Sequence, residues 1–171
     1  MISPTPRFAA SFALAASLLA LAGAAAAQAP APDRLPPLGG PGVYRPAPQL
    51  AAALRAAAKA SPSLATSKIL ITDRYSIQEV RRGAAAGPAV HETWSELHFI
   101  LEGSGELTTG GRIVGTGAAA HIEGGVAQAV HKGDAMLVPP NTPHAYTKVD
   151  GALTYLEVRF ADPGLAPMPR P

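Results

Sequence analysis

The chain has 171 residues, which is enough for one compact domain and few for two with separate cores. It has no cysteine, and this excludes disulfides, thiolate nucleophiles, iron–sulfur clusters and cysteine-ligated zinc. Charged residues make up 15% of the chain and the formal net charge is +2, so we expect no basic surface suited to nucleic acid.

The N-terminal 27 residues have the pattern of a secretory signal peptide. Arg7 is the lone charge before the apolar residues 8–22, and three alanines before Gln28 form a small-residue cleavage site. A membrane anchor is the alternative, since the apolar stretch approaches the roughly 20 residues that span a bilayer. The alanine content and the cleavage site favour removal. We therefore expect a periplasmic or secreted protein that has no membrane contact after cleavage.

The composition divides the rest of the chain into four segments. Proline and glycine dominate residues 28–48, which predicts an extended linker or arm. Strong helix formers followed by Ser61 and Pro62 predict a short packing helix over residues 49–62. Residues 63–162 are assigned to a single β domain, and the proline-rich residues 163–171 to a flexible tail.

Short stretches with a period of two predict the strands of this domain. These strand candidates are residues 74–82, 96–101, 125–130, 135–138, 144–149 and 153–160. Glycine, proline and asparagine turns separate them, and no helical crossover lies between them. The pattern is typical of an antiparallel sandwich or barrel.

Three residues that can bind a metal lie at the edges of these strands: His91, Glu96 and His144. A hairpin through residues 93–95 would aim His91 and Glu96 into one cavity. Two imidazoles and one carboxylate suit Fe(II), Mn(II), Ni(II) or Zn(II) and leave coordination positions open for a substrate or dioxygen.

The spacing of these residues resembles the two sequence motifs of the cupin superfamily over about residues 70–160. The first motif falls on Gly83, Ala89, His91, Glu96 and Gly103. The second falls on Gly133, Pro139, Asn141, His144 and Lys148. The resemblance implies an all-β, antiparallel jelly-roll barrel with a divalent metal inside its mouth, bound through His91, Glu96 and His144.

One departure from the cupin motifs affects the ligand set. Ala89 replaces the first histidine of the usual pair, and its methyl group cannot coordinate a metal. The metal would have three protein ligands, or another side chain would substitute. His98 is the natural substitute, because it lies two residues after Glu96 and faces the same side of the strand.

Two further departures lie in the second motif. Asn141 replaces a turn glycine, and asparagine tolerates the left-handed backbone that such turns need. Lys148 replaces an asparagine, and strict alternation would place it in the cavity with His144 and Tyr146. We therefore take Tyr146, Lys148 and His98 as candidate catalytic residues, and the lysine would attract an anionic substrate.

Three placements stay open at this point. Glu157 and Arg159 either line the cavity or coat the outer sheet. Residues 110–124 are either a lid over the mouth or a disordered insertion. The face that carries residues 97, 99 and 101 must be covered by the second sheet, by the helix near Leu54 or by a second subunit, so a homodimer is compatible with the sequence.

The function predicted from these residues is the binding of a divalent metal and a small, anionic organic ligand by an exported cupin. The open metal positions suit an oxygenase or an isomerase. The alternative is a barrel that binds a small molecule or a metal without turnover. The cupin fold by itself does not choose between them.

Overall fold

The computed structural model describes residues 39–72 and 74–161. The predicted signal peptide, the first part of the predicted arm and the predicted tail lie outside these residues. Within them, no helix is long and apolar enough to cross a membrane.

A single α-helix, α1 (Ala47–Ala60), lies in the described part of the chain and packs against the first two strands. It begins two residues earlier than predicted, with Pro46 as its N-cap and Pro48 in its first turn. Proline is tolerated there because the first N–H groups of a helix have no partner within the helix. The helix ends where the Ser61 N–H bonds the Ala57 carbonyl at 2.8 Å.

Ten strands follow in the described residues: β1 (Leu64–Ile71), β2 (Tyr75–Arg82), β3 (Trp94–Glu102), β4 (Ser104–Thr109), β5 (Arg112–Val114), β6 (His121–Glu123), β7 (Val126–His131), β8 (Ala135–Val138), β9 (His144–Val149) and β10 (Leu153–Ala161). The six predicted strands are present, with ends that differ by two residues or fewer. Sequence patterning missed β1, β4, β5 and β6.

The strands form two main antiparallel sheets. One has the order β1-β2-β10-β3-β8 and the other the order β7-β4-β9. Strands that are distant along the chain lie side by side, as β3 and β10 do, which is the arrangement of a jelly roll. The predicted all-β, antiparallel jelly-roll fold is thus confirmed.

The interior between the sheets has an apolar end. Its buried residues are Val80, Ile100, Leu107, Val130, Tyr146, Leu153 and Tyr155. Leu107 and Leu153 are fully buried. Burial of such side chains contributes about 1.5–3 kcal/mol each, so this end holds the sheets together.

Residues 110–124 contain the paired strands β5 and β6, so the expectation of a disordered insertion is wrong and the lid stays a prediction. Arg112 pairs with Glu123 across the hairpin. The hairpin encloses a cavity of about 340 Å³ with Thr108, Thr147 and residues 85–88. No residue of the hairpin lines the cavity around Glu96.

The outer face of the larger sheet is covered only in part. Leu101 lines a groove of about 740 Å³ together with Leu54 of α1. Phe99 and Leu137 remain 41% and 56% exposed. A homodimer that covers this face stays a prediction.

Candidate functional site

The polar end of the interior is built by two neighbouring strands. Side chains alternate along a strand, so Glu96 and His98 of β3 point inward together with Ile100. Arg159 of β10 pairs with Glu96, and Glu157 pairs with His98. Paired residues share a face of the sheet, and the four polar side chains therefore converge inside the barrel.

His91 reaches the same place from a loop. Ala89 exchanges two backbone hydrogen bonds of 2.9 Å with His144, and the Asn141 N–H bonds the His91 carbonyl at 2.8 Å. The predicted hairpin that would join His91 to Glu96 is wrong, because the segment before β3 pairs with β9 in the other sheet. Ala89 lacks the imidazole that the motif has at this position, but its backbone pairs with that of His144.

The turn before β9 has the conformation expected from the sequence. Asn141 has a φ of 59°, in the left-handed region that favours glycine and tolerates asparagine. Its side chain also donates a hydrogen bond of 3.3 Å to the Glu92 carbonyl. The turn thus holds the loop that carries His91.

The three predicted metal ligands meet at the carboxylate of Glu96. The Nε2 atom of His91 lies 3.0 Å from Glu96 Oε1, and the Nε2 atom of His144 lies 3.1 Å from Oε2. One ligand atom from each residue lies within 4.8 Å of the others. Glu96 is 1% exposed and His144 is 8% exposed, whereas the half-buried His91 is nearer the mouth.

The surroundings keep Glu96 ionised. Burial alone would raise its pKa, but hydrogen bonds from His144 and His98 and the positive charge of Arg159 hold the pKa well below its usual range. Burial would lower the pKa of His144, yet its contact with Glu96 and its hydrogen bond to Thr142 raise it. Burial lowers the pKa of His91, although Glu96 opposes this shift.

The donor atoms fit a divalent metal. His144 Nδ1 lies 3.1 Å from the Thr142 carbonyl oxygen, to which it donates, so its Nε2 faces Glu96. A nitrogen lone pair next to a carboxylate oxygen is favourable only when a proton or a metal ion lies between them. His91 Nε2 and Glu96 Oε1 are buried and have no hydrogen-bond partner. Two imidazoles and one carboxylate are a common ligand set for divalent transition metals.

His98 lies deeper in the barrel than the other two histidines. Its Nε2 atom is 3.2 Å from Glu96 Oε2 and 3.9 Å from Glu157 Oε2, and the residue is 2% exposed. Its Nδ1 atom lies 3.2 Å from the Tyr146 hydroxyl. His98, Glu96 and Glu157 form a second group whose ligand atoms lie within 4.8 Å of one another and could hold a metal ion, and this group shares Glu96 with the group of His91 and His144.

Tyr146 is the second candidate catalytic residue that faces the cavity. It is 2% exposed, and burial raises its pKa well above the usual value. Its hydroxyl therefore stays protonated and can donate to His98 Nδ1. With Nδ1 as the acceptor, the single N–H of a neutral His98 ring lies on Nε2 and is directed at Glu96.

The prediction that Lys148 enters the cavity is wrong. The pairing of β4 with β9 shifts by one position at Thr147, which is an extra residue in β9. Strict alternation from Tyr146 is lost there. The Lys148 side chain is 66% exposed and pairs with Asp150 at 2.9 Å, which raises the pKa of Lys148.

Two arginines supply the positive charge that Lys148 was expected to bring into the cavity. Arg82 and Arg159 line a cavity of about 120 Å³ around the three predicted ligands. The Nε atom of Arg159 lies 3.1 Å from Glu157 Oε1, which also accepts a hydrogen bond of 2.8 Å from Gln78. Alternation along β10 places Glu157 and Arg159 on the same face of the strand. Whether that face points inward depends on the pairing of β10 with strands that are distant in the sequence.

Comparisons with known proteins agree with this architecture. Residues 77–163 match the family described as "AraC-like ligand binding domain". No curated protein sequence matches the chain.

Several solved structures have a similar fold. KdgF from Halomonas sp. is 16% identical, with a TM-score of 0.47 over 61% of this chain and 84% of that protein. A predicted oxalate decarboxylase from Thermotoga maritima is 16% identical, with a TM-score of 0.44 over 58% of this chain and 81% of that one. The polyketide cyclase RemF from Streptomyces resistomycificus is 20% identical, with a TM-score of 0.43 over 64% and 73%. At these identities the likeness concerns the fold alone.

Proposed function

Because the chain belongs to the family of AraC-like ligand-binding domains and has the cupin jelly roll, we propose that its barrel holds a divalent metal and binds a small organic anion. His91, Glu96 and His144 are the proposed metal ligands. Their convergence on one carboxylate, with both imidazole nitrogens within 3.1 Å of its oxygens, carries this proposal. Iron, manganese, zinc and nickel all suit these donors.

The charges around the cavity support an anionic ligand. Arg82 and Arg159 balance Glu96 and Glu157, so the lining is neutral without a metal and strongly positive with one. The volume of about 120 Å³ corresponds to roughly four water molecules. A small carboxylate satisfies both the charge and the size.

Catalysis by this site would depend on two buried residues. A bound metal with open positions can polarise a carbonyl or hydroxyl group or bind dioxygen, as an isomerase or an oxygenase requires. His98 and Tyr146 form a hydrogen-bonded pair next to Glu96 and can hold or pass a proton. The alternative is capture of the ligand without turnover.

Metal analysis of the purified protein tests the proposed ligands. Wild type should carry about one metal ion per chain, and His91→Ala and His144→Ala should each lose it. His121→Ala and His131→Ala are matched controls, because both histidines are exposed and should leave the metal content unchanged. Full occupancy in all four variants, with circular dichroism showing intact folds, would contradict the assignment.

Turnover assays then separate an enzyme from a binding protein. The metal-loaded protein is incubated with small carboxylates and catechols, and dioxygen uptake and product formation are followed by an oxygen electrode and proton NMR. Catalysis is supported if the wild type converts a substrate and the His98→Gln variant, with the same metal content, does not. Saturable binding without conversion supports the alternative.

Export is a further part of the proposal and rests on residues 1–27 alone. We expect the protein in the periplasmic or culture fraction of its host. N-terminal sequencing of the purified protein should begin at Gln28 or shortly after it. A full-length chain retained in the cytosol would contradict export without bearing on the metal site.

A further inference from the structure

Arg159 makes an unusual contact for a residue beside a predicted metal ligand. Its Nε atom lies 2.5 Å from Glu96 Oε1, the same oxygen that faces His91 Nε2 at 3.0 Å. The contact is ionic without hydrogen-bond geometry, since neither Nε nor Oε1 has a hydrogen-bond partner. A permanent positive charge therefore lies against the carboxylate that the metal needs.

A guanidinium and a divalent metal compete for that carboxylate. Each binds the negative charge of Glu96, and the two cations repel each other across a few ångströms. Arg159 has a second anionic partner in Glu157, 3.1 Å from its Nε atom. Its side chain is also 32% exposed, so its outer nitrogens can reach a ligand that enters the mouth.

Arg82, the other cation of the cavity, is already engaged. Its Nε donates a hydrogen bond of 3.0 Å to the Tyr155 hydroxyl, and its guanidinium carbon lies 5.2 Å from the centre of the Tyr146 ring. These contacts hold Arg82 against the tyrosines deeper in the barrel. Of the two arginines that line the cavity, Arg159 is the one that lies against a predicted metal ligand.

We infer that Arg159 selects the ligand of this site: its guanidinium binds the carboxylate of a small organic acid, and this binding releases Glu96 for the metal. The inference rests on the proposed function, because it assumes that Glu96 is a metal ligand. Guanidinium and carboxylate match as a two-pronged pair, which favours a carboxylate over a neutral ligand of the same shape. The metal and the acid then bind with positive coupling, and each strengthens the other by the same factor.

Cobalt titrations of the full chain test the coupling, with acetate as the charged probe and acetamide as its neutral counterpart at constant ionic strength. In the wild type, millimolar acetate should strengthen Co²⁺ binding several-fold, and acetamide should have no effect. Arg159→Met should bind Co²⁺ on the order of tenfold more tightly than wild type without acetate, and should lose the acetate effect. Arg112→Met is the matched control, since this arginine is 74% exposed on the hairpin. It should behave as wild type.

The outcomes separate the two proposals. Absence of binding of Co²⁺, Mn²⁺ and Zn²⁺ to the folded wild type would overturn the proposed function and, with it, the inference. Normal metal binding that neither acetate nor Arg159→Met changes would overturn the inference alone. An acetate effect that persists in Arg159→Met would assign the anion to another residue and also overturn the inference.

A conservative variant keeps the test decisive if Arg159→Met does not fold. Arg159→Lys retains the positive charge and loses the two-pronged geometry. It should bind Co²⁺ about as wild type does in the absence of acetate, and its acetate effect should be much smaller. An undiminished acetate effect in Arg159→Lys would count against selection by the guanidinium.

Discussion

The two ends of the barrel interior share strands β3, β9 and β10, yet their chemistry is opposite. Along β3, Glu96 is 1% exposed. Ile100, which lies two residues after His98 on the same face of the strand, is also 1% exposed. Along β10, Tyr155 packs into the apolar cluster while Arg159, four residues later, faces Glu96. The change from an apolar to a charged interior takes place within a few residues of each strand.

This difference shows that the polar end is not there for stability. Burying aliphatic side chains stabilises a domain, whereas burying charges costs free energy that ion pairing offsets only in part. A barrel selected for stability alone would continue the apolar cluster to its mouth. The concentration of charge at one end therefore favours that end as the candidate functional site.

Truncation in the apolar end should have the largest effect on stability. Leu107→Ala removes a fully buried side chain and should lower the free energy of unfolding by about 2–5 kcal/mol. Urea denaturation measures the loss, and metal per folded chain should stay unchanged. Leu137→Ala, at an exposed position of the outer face, should change stability by less than about 0.5 kcal/mol. Equal losses in both variants would contradict the assignment of the core.

The boundary between the two ends can be tested with a pair of tyrosines. Tyr146→Phe leaves His98 Nδ1 without its partner, and Tyr155→Phe removes the acceptor of Arg82. Each should cost about 1–3 kcal/mol of stability. Only Tyr146→Phe should also weaken metal binding, by about tenfold, because it frees the ring that contacts Glu96. Isothermal titration with Co²⁺ measures this; the same affinity in both variants would argue against a role for His98 in orienting Glu96.

The position of His91 at the mouth depends on the turn at Asn141 as well as on the strands, and substitutions of Asn141 test this. Asn141→Gly retains the left-handed conformation and should be close to neutral, whereas Asn141→Ala should cost about 1–2 kcal/mol. Thermal unfolding measures the difference. If the turn positions His91, the alanine variant should also bind metal more weakly than the glycine variant. Equal behaviour of the two would contradict this role.

The smallest effect is expected outside the barrel interior, at Glu79, which lies near the negative charge of Glu102. Burial, and then the charge of Glu102, raise the pKa of Glu79. The Glu79 carboxyl thus binds its proton more tightly in the folded chain than in the unfolded one. The ionised carboxylate therefore lowers the free energy of unfolding as the pH rises above the usual pKa of about 4.5. Glu79→Gln should stabilise the protein by a few tenths of a kcal/mol at pH 7 and have no effect near pH 3. Differential scanning calorimetry at both pH values measures it, and a stabilisation equal at both would exclude an electrostatic origin.

Much of the fold and part of the site could be predicted from local sequence. Six strands followed from alternation, and Asn141 was predicted in its left-handed turn. His91, Glu96 and His144 followed from spacing, and the structure brings them together. Their binding of a metal, like the catalytic roles of His98 and Tyr146, stays a prediction.

Other features depended on contacts that no local pattern encodes. The extra residue at Thr147 turns Lys148 outward, because a bulge in one strand resets the alternation beyond it. Arg159 and Glu157 enter the cavity because β10 pairs with β3, more than fifty residues away in the chain. Ala89 is placed by its backbone bonds to His144 in spite of its missing imidazole.

The sequence by itself determined six of the ten described strands, the turn at Asn141 and the three residues at motif spacing, since each depends on neighbours along the chain. Only the tertiary structure decided which cation lies beside Glu96. That choice depends on the register between strands and on the phase of their pleat, and both arise when distant segments pair.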